Sequence, residues 1–333
     1  MSKGAPFEHV PVLAGEVVAV LLPGIPVPAA APTEAPAPGG VFVDCTVGGG
    51  GHAEALLAAS PHVALVGLDR DPDALEAAGR RLAPFSGRVT LLHRRFGELA
   101  PALEEVGSGK VRGILYDLGV SSPHLDRADR GFGFRSDGPL DMRMDPAQPL
   151  TAADVVNGYP LAELASVLSR WGEERFARRI AAAIVRRRGQ RPFERTTDLA
   201  EVVKEAIPAA TRRTGPHPAR RTFQALRIEV NDELGELEAS LPQAIEALEP
   251  GGRVAVISYH SLEDRIAKRT FAAGAAGCRC PRDLPVCVCG ASATLRVLTR
   301  KPVLPTPEEV EANPRAGSAR LRAAERLGLP EAA

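Results

Sequence analysis

Apolar residues recur along this chain in short, nearly unbroken runs separated by segments of helical spacing. The runs fall at Val41–Cys45, Val63–Leu68, Arg88–Leu92 and Val111–Leu118, and the helical patterns at 52–59, 72–83 and near 99–106. Continuous apolar runs of strand length predict strands buried on both faces. Strands alternating with helices predict a parallel sheet covered on both sides. The rhythm stops after Leu118. Residues 119–150 read as loop, Ala152–Ala210 as mostly helical, and Thr222–Leu248 as one further helix. Thr196 and Thr197 are the predicted N-caps of the helix in TTDLAEVVKEAIP. Pro250-Gly251-Gly252 is a turn signal, after which Arg253–Ser258 resumes as strand, Ser261–Phe271 as helix and Thr294–Lys301 as an edge strand. Residues 23–40, rich in Pro, Ala and Gly, read as a loop.

The pattern predicts an α/β, Rossmann-like domain built from residues 1–124 and 231–333. A mostly helical, basic subdomain is inserted at 125–230. Ligands of open parallel sheets bind beyond the carboxyl ends of the strands, which is where the candidate chemistry lies. The first strand runs directly into Gly48-Gly49-Gly50-Gly51, a turn that brings backbone close to a ligand, with Asp44 before it and His52 opening the next helix. Asp69 ends the second strand and Asp117 the fourth. Carboxylates at strand ends repel a pyrophosphate and suit a nucleoside carrying hydroxyls, an amine and a sulfonium, as S-adenosylmethionine does. A nucleotide, or no cofactor, is the alternative. So are plainer roles: Asp44 as a loop-fixing residue, His52 as a cap for a carbonyl, Asp69 as the cap of the helix at Pro72, and Phe96 as ordinary packing rather than an adenine platform.

Charge sharpens this only locally. The 333 residues carry equal numbers of basic and acidic side chains, 41 of each. From Pro160 to Val230, however, fifteen Arg or Lys face eight Asp or Glu, an asymmetry that suits an anionic partner or, more plainly, a salt-bridged helical surface. No long apolar segment or leader pattern is evident, so a soluble, cytoplasmic protein is expected. Of the five cysteines, Cys45 reads as strand filler, while Cys278, Cys280, Cys287 and Cys289 form a CxC…CxC pattern that admits structural zinc, free thiols or disulfides.

At this point longer segments carry a resemblance. HVPVL at 9–13, DCTVGGGGH at 44–52, DLGVSSPHLDRADRGFGFRSDGPLDMRMD at 117–145, HPARRTFQALRIEVNDEL at 217–234, GGRVAVISYHSLEDR at 251–265 and TRKPVLPTPEEVEANPRAGSARLR at 299–322 resemble the RsmH, or MraW, family across nearly the whole chain. The resemblance implies a class I S-adenosylmethionine-dependent methyltransferase fold. It implies methylation of the exocyclic N4 of a cytidine in the decoding centre of 16S rRNA, with the small ribosomal subunit as partner. It places cofactor contacts on Gly50, Gly51, His52, Asp69, Phe96, Asp117 and His124, the last a position more often Gln in relatives. No metal is expected in the site, and the sequence leaves a monomer or a homodimer open.

For this chemistry Asp117 is the expected catalytic residue, accepting a hydrogen bond from N4–H. The D/N/S-P-P-Y/F motif of many amino-methyltransferases is replaced by Asp117-Leu118-Gly119-Val120, so the aromatic residue that holds the base must come from elsewhere. Tyr159, Trp171, Phe132, Phe134 and Tyr259 are the candidates. Asp137, Asp141, Arg143 and Asp145 form either a cytidine pocket or a cation site. His260, Ser261, Glu263 and Asp264 read as cleft residues or as a helix start. Arg186, Arg187, Arg188, Arg212, Arg213, Arg220 and Arg221 are expected on phosphates, and the basic run 315–322 either joins them or is frayed surface. The competing readings are a methyltransferase of another RNA or DNA, a non-catalytic ribosome-assembly RNA-binding protein, and a nicotinamide oxidoreductase.

Overall fold

In a computed structural model, residues 11–24, 39–120, 126–209, 217–277, 280 and 292–328 are described. The chain packs as two units, residues 1–119 with 236–333 and residues 120–235. The first holds the sheet: β1 (Gly40–Asp44), β2 (Val63–Asp69), β3 (Val89–His93), β4 (Val111–Asp117), β5 (Leu248–Ser258), β6 (Leu295–Val297) and β7 (Arg320–Arg326). Their order is β3-β2-β1-β4-β5-β7-β6, with β7 antiparallel to both of its neighbours and the preceding strands parallel. The order reverses between β1 and β4, the topological switch point at which ligands of such sheets sit.

Alternation of side chains explains the apolar runs. Phe42, Leu65, Leu115 and Ile257 point to one core, and Val43, Leu68, Tyr116 and Val256 to the other. The first core is covered by α1 (Ala14–Leu21) and α2 (Gly51–Ala59), with α3 (Pro72–Arg81) beside them. The second is covered by α4 (Leu99–Glu105) and further along the chain by α10 (Glu233–Ala247) and α11 (Ser261–Ala275). A short α12 (Pro307–Ala312) precedes β7.

The second unit contains α5 (Ala152–Gly158), α6 (Leu161–Gly172), α7 (Ala177–Arg188), α8 (Thr196–Ala206) and α9 (Arg220–Asn231) around a core that includes Met142, Leu168, Ile184 and Phe223. Asn231, itself buried, organises the irregular chain that precedes these helices. It accepts from the Met144 amide at 2.9 Å and donates to the Met142 carbonyl at 2.8 Å. Met142 has a left-handed backbone, φ 61°, and this bond together with its amide donation to the Arg130 carbonyl fixes it there.

Four sequence expectations change. The helix foreseen over Thr222–Leu248 breaks at Asp232, whose φ of 48° ends α9 before α10 begins. Thr196 and Thr197 do not cap α8; Arg195 holds the N-cap position. Thr196 Oγ1 instead accepts from the Gly138 amide and donates to the Ser136 carbonyl, and Thr197 donates to Asp137. The basic run 315–322 is not frayed surface. It leads into β7, a strand inside the sheet, where Arg322 pairs with Asp264 at 2.6 Å. The expected strand at Thr294–Lys301 is shortened to β6, at the sheet's edge.

Replacing Asn231 by Ala leaves the Met142 carbonyl and Met144 amide unsatisfied. Leaving such buried groups unpaired costs about 1–3 kcal/mol. The expected outcome is a matching fall in the second unit's unfolding free energy, with faster hydrogen exchange at Met144. Unchanged exchange there would show that Asn231 does not hold the segment.

Candidate active site

The carboxyl ends of β1 and β4 are joined by one side chain. Thr46 follows β1; its amide donates to Asp44 Oδ1 at 3.1 Å, and its hydroxyl accepts from the Asp117 amide at 2.7 Å. Asp44 is almost fully buried. Burial pushes its carboxyl up to about 7, against the opposing pull of His52 and the Thr46 amide, with Asp117 and Asp69 adding to the rise.

The glycine turn then passes over the sheet edge. Gly50 adopts φ 81°, a left-handed conformation that suits glycine, and α2 starts at Gly51. The Gly48 amide donates to Asp69 Oδ2 at 2.9 Å, so the turn is tied to the end of β2. Asp69 Oδ1 accepts from the Asp71 amide at 2.9 Å. Asp71, not Asp69, caps α3, accepting from the Asp73 amide at 3.0 Å. Asp69 therefore faces the glycine turn rather than serving the helix behind it.

His52 stands on the first turn of α2, buried, with Nε2 3.4 Å from Asp117 Oδ2. Neither ring nitrogen has a hydrogen-bond partner. Burial opposes its protonation, but the neighbouring Asp117 and Asp44 carboxylates outweigh burial and hold its pKa above the usual histidine value. On the other side of Asp117, the Tyr259 hydroxyl donates to Oδ1 at 2.9 Å, and burial together with Asp117 keeps that phenol protonated well beyond its ordinary range. Tyr259 also lies against the turn after β4. Gly119 has φ 100°, and a Cβ there would sit 3.3 Å from the Tyr259 ring. An aromatic ring thus does border the strand-four turn, supplied by the residue after β5 rather than by the turn itself.

Phe96 packs edge-to-face on Tyr116, centroids 5.8 Å apart, and stays partly exposed. Its turn is anchored by Glu236, which accepts from the Gly97 amide at 2.9 Å, and by Ser240, whose hydroxyl donates to the Phe96 carbonyl at 2.6 Å. The structure thus brings Asp44, Gly50, Gly51, His52, Asp69 and Asp117 together at the ends of β1, β2 and β4, with Phe96 after β3. His124 lies outside the described residues. Thr46 and Glu236 escaped the sequence reading. A threonine two residues beyond a strand-end Asp was the available signal for the first; nothing local marks the second.

Other candidates resolve differently. His260 caps α11 and forms a capping box with Glu263, while Asp264 pairs with Arg322, so these residues build a helix start. Asp137 turns to Arg195 and Thr197, Asp141 to Arg143, and Asp145 to the Ala147 amide. Among the described residues no group of three potential ligands gathers for a metal. Phe132 is buried in the second unit's core, Phe134 stacks on His217 at 4.6 Å, and Tyr159 and Trp171 both donate to Glu229. Arg187 and Arg188 bond backbone carbonyls, Arg221 donates to the Glu173 carbonyl, and Arg186 and Arg220 are exposed; Arg212 and Arg213 lie outside the described residues. The Cys45 thiol is buried, and burial pushes its pKa far up, which removes it as a nucleophile. Cys278, Cys287 and Cys289 lie outside the described residues.

The reversed strand order, the antiparallel β7 and the acid-lined switch point define a class I S-adenosylmethionine-dependent methyltransferase fold with an inserted helical unit. The chain belongs to the MraW methylase family, whose model matches residues 6–327. It is 53% identical over 323 residues to a ribosomal RNA small subunit methyltransferase H of Heliobacterium modesticaldum, covering 96% of this chain and 99% of the relative. To the enzyme of the same name from Acidothermus cellulolyticus it is 56% identical over 319 residues, covering 96% and 94%. Among solved structures, an rRNA methylase of Streptococcus thermophilus superimposes with a TM-score of 0.39 at 12% identity, covering 98% of this chain and 100% of its own.

The raised Asp44 pKa sets a pH dependence. A carboxyl whose folded pKa lies above its unfolded value stabilises the fold below about 4, and that contribution is lost as pH rises through about 7. His52, also raised, acts in the same direction. The cofactor-free protein is expected to melt at lower temperature at pH 8 than at pH 5.5. Asp44→Asn keeps the acceptor for the Thr46 amide and flattens the difference by about 2 kcal/mol, roughly 1.5 pH units below a pKa of about 7 at about 1.36 kcal/mol each. Parallel melting curves of wild type and variant across that range would refute the assignment.

Proposed function

We propose that this protein transfers the methyl group of S-adenosylmethionine to the exocyclic N4 of a cytidine in the decoding centre of 16S rRNA, on the small ribosomal subunit in the cytoplasm. The observation that carries the reading is the Asp117 carboxylate at the switch point, held between the Tyr259 hydroxyl and the buried His52 ring. Membership of a methylase family and the names of the close relatives support the reaction class and the substrate.

The residues present fit the cofactor. Asp69, at the end of β2 beside the glycine turn, suits a ribose hydroxyl pair, and Phe96 offers a partly exposed ring for an adenine. His52 has its Nε2 turned to Asp117 and its buried Nδ1 without a hydrogen-bond partner, and Gly50 and Gly51 allow close backbone approach. Bound there, S-adenosylmethionine supplies an electrophilic methyl group on a sulfonium.

What the chain contributes is orientation and proton handling. The N4 lone pair of cytosine is delocalised into its ring, so the amine attacks only when held in line and polarised. Asp117 Oδ1 is engaged by Tyr259, while Oδ2 keeps acceptor capacity for N4–H. Tyr259 and His52 fix the carboxylate from both sides, and it draws electron density onto nitrogen and accepts the proton that nitrogen releases. A cysteine nucleophile is not needed, since the nucleophile belongs to the substrate. His124, the polar position after the Ser121-Ser122-Pro123 tripeptide, completes the proposed cofactor contacts.

The direct test is transfer of labelled methyl from S-adenosylmethionine to small ribosomal subunits and to naked rRNA, with the product nucleoside identified after digestion. N4-methylcytidine is expected. Label on a different base, or transfer to DNA instead, would replace the substrate assignment. Asp117→Asn should lower kcat by about 10²–10³-fold, the scale of a lost general base or charge-stabilising group. A variant within twofold of wild type would remove Asp117 from the chemistry.

A further inference from the structure

Among the described residues the second unit carries three arginine–aromatic stacks, and two of them use Arg170 and Arg175, which are outside the arginine runs expected on phosphates. The Arg170 guanidinium lies over the Trp171 ring at 4.6 Å, at the end of α6. The Arg175 guanidinium lies over the Phe176 ring at 5.0 Å, at the start of α7. Both arginines are exposed, as are Arg178 and Arg179 on the first turn of α7. Among the described residues none of the four forms a salt bridge, whereas Arg191, Arg195 and Arg227 of the same unit each have a carboxylate partner.

The Trp171 ring is pre-set. Its indole N–H donates to Glu229 Oε2 at 2.7 Å, and the Tyr159 hydroxyl donates to the other oxygen at 3.0 Å. Burial and Glu229 push the Tyr159 phenol up to about 12, so it remains a donor at any working pH. The polar edge of the indole is therefore satisfied inward and its face is given to Arg170. Of the two glutamates between the stacks, Glu173 is exposed and Glu174 is buried, accepting from the Phe176 amide at 2.9 Å.

Planar guanidinium groups spread on aromatic rings, with no carboxylate to neutralise them, are what an unpaired, stacked base and its phosphates require. An acidic protein surface would meet the charge but leave the planar geometry unused. Resting on the rRNA reading above, we infer that this corner binds a single-stranded segment of the substrate rRNA. A base stacks on the Arg170 plane, backed by Trp171, while Arg175 and Arg178 hold phosphates. Of the expected arginine runs, Arg187 and Arg188 are bonded to carbonyls of their own unit, and Arg187 also lies over the Phe193 ring at 5.1 Å.

The test is equilibrium binding of the full chain to naked small-subunit rRNA across a salt series, with S-adenosylmethionine affinity measured on each variant as a check of folding. Arg175→Ala with Arg178→Ala should weaken binding and reduce the slope of log affinity against log salt by about 1.4, at roughly 0.7 per single-strand phosphate contact. Arg170→Ala should weaken binding roughly tenfold, the scale of one lost base stack. Arg170→Lys keeps the charge and loses the plane, so it should leave the salt slope as in wild type without recovering the affinity. Unchanged slope and affinity in the double variant, or full rescue by lysine, would overturn the inference. Binding reads out whether or not methyl transfer occurs, so failure of the proposed chemistry and failure of this surface are distinguishable.

Discussion

Burial of carboxylates at the carboxyl ends of β1 and β4 is the constraint around which the first unit is arranged. An ionised carboxylate taken out of water costs several kcal/mol unless donors replace the water. Each acid here receives a different answer. Asp44, the most buried, has one amide and shifts toward its neutral form. Asp69 is given two backbone amides, from Gly48 and Asp71. Asp117 has a phenol on one oxygen and an imidazole near the other. The glycine turn, the Thr46 bridge and the placement of α2 are the means by which these donors arrive. The turn is thus part of an electrostatic arrangement before it is part of a binding site.

The same principle orders the second unit with neutral and charged partners in other combinations. Asn231 holds a left-handed methionine and its neighbour, and Glu229 gathers a tyrosine and a tryptophan. In both places one polar side chain from α9 satisfies groups distant in sequence, so α9 sets the shape of segments that have no regular structure of their own. The arginines left over after these internal pairings are what give the unit its external charge.

How much of this could be read from the chain depended on whether the cause was local. The parallel strands were legible because burial on both faces leaves continuous apolar runs, and β1 through β4 fall within a residue or two of the expected places. The switch-point acids were legible because strand ends and glycine turns have local signatures. β7 was not. Its sequence, RLRAAER, looks like surface, and it is buried because Arg322 meets Asp264 and Glu325 meets Arg253 and Arg296, partners that only the fold brings near. The break at Asp232 was hidden for a similar reason: the helical periodicity continues through it, and the residue that profits, Asn231, acts on a loop more than eighty positions earlier. Tyr259 stood among five aromatics that the sequence could not rank. Its contact with Asp117 distinguishes it, and the contact spans 142 residues.

The glycine turn itself bears on the choice between a phosphate-bearing cofactor and a cationic nucleoside. A phosphate loop works by leaving successive backbone N–H groups unengaged and convergent, so that an anion can take them. Here the Gly48 amide is already given to Asp69, and the Gly50 amide to the Val47 carbonyl at 2.8 Å. A pyrophosphate arriving at the turn would find a carboxylate holding one amide and a backbone carbonyl holding another. It would have to displace an ionised group of its own sign. For a ligand presenting ribose hydroxyls and a positive sulfur, the same carboxylates are acceptors and counter-charges. The four-glycine sequence alone is compatible with either ligand class; the destination of its amides is what separates them.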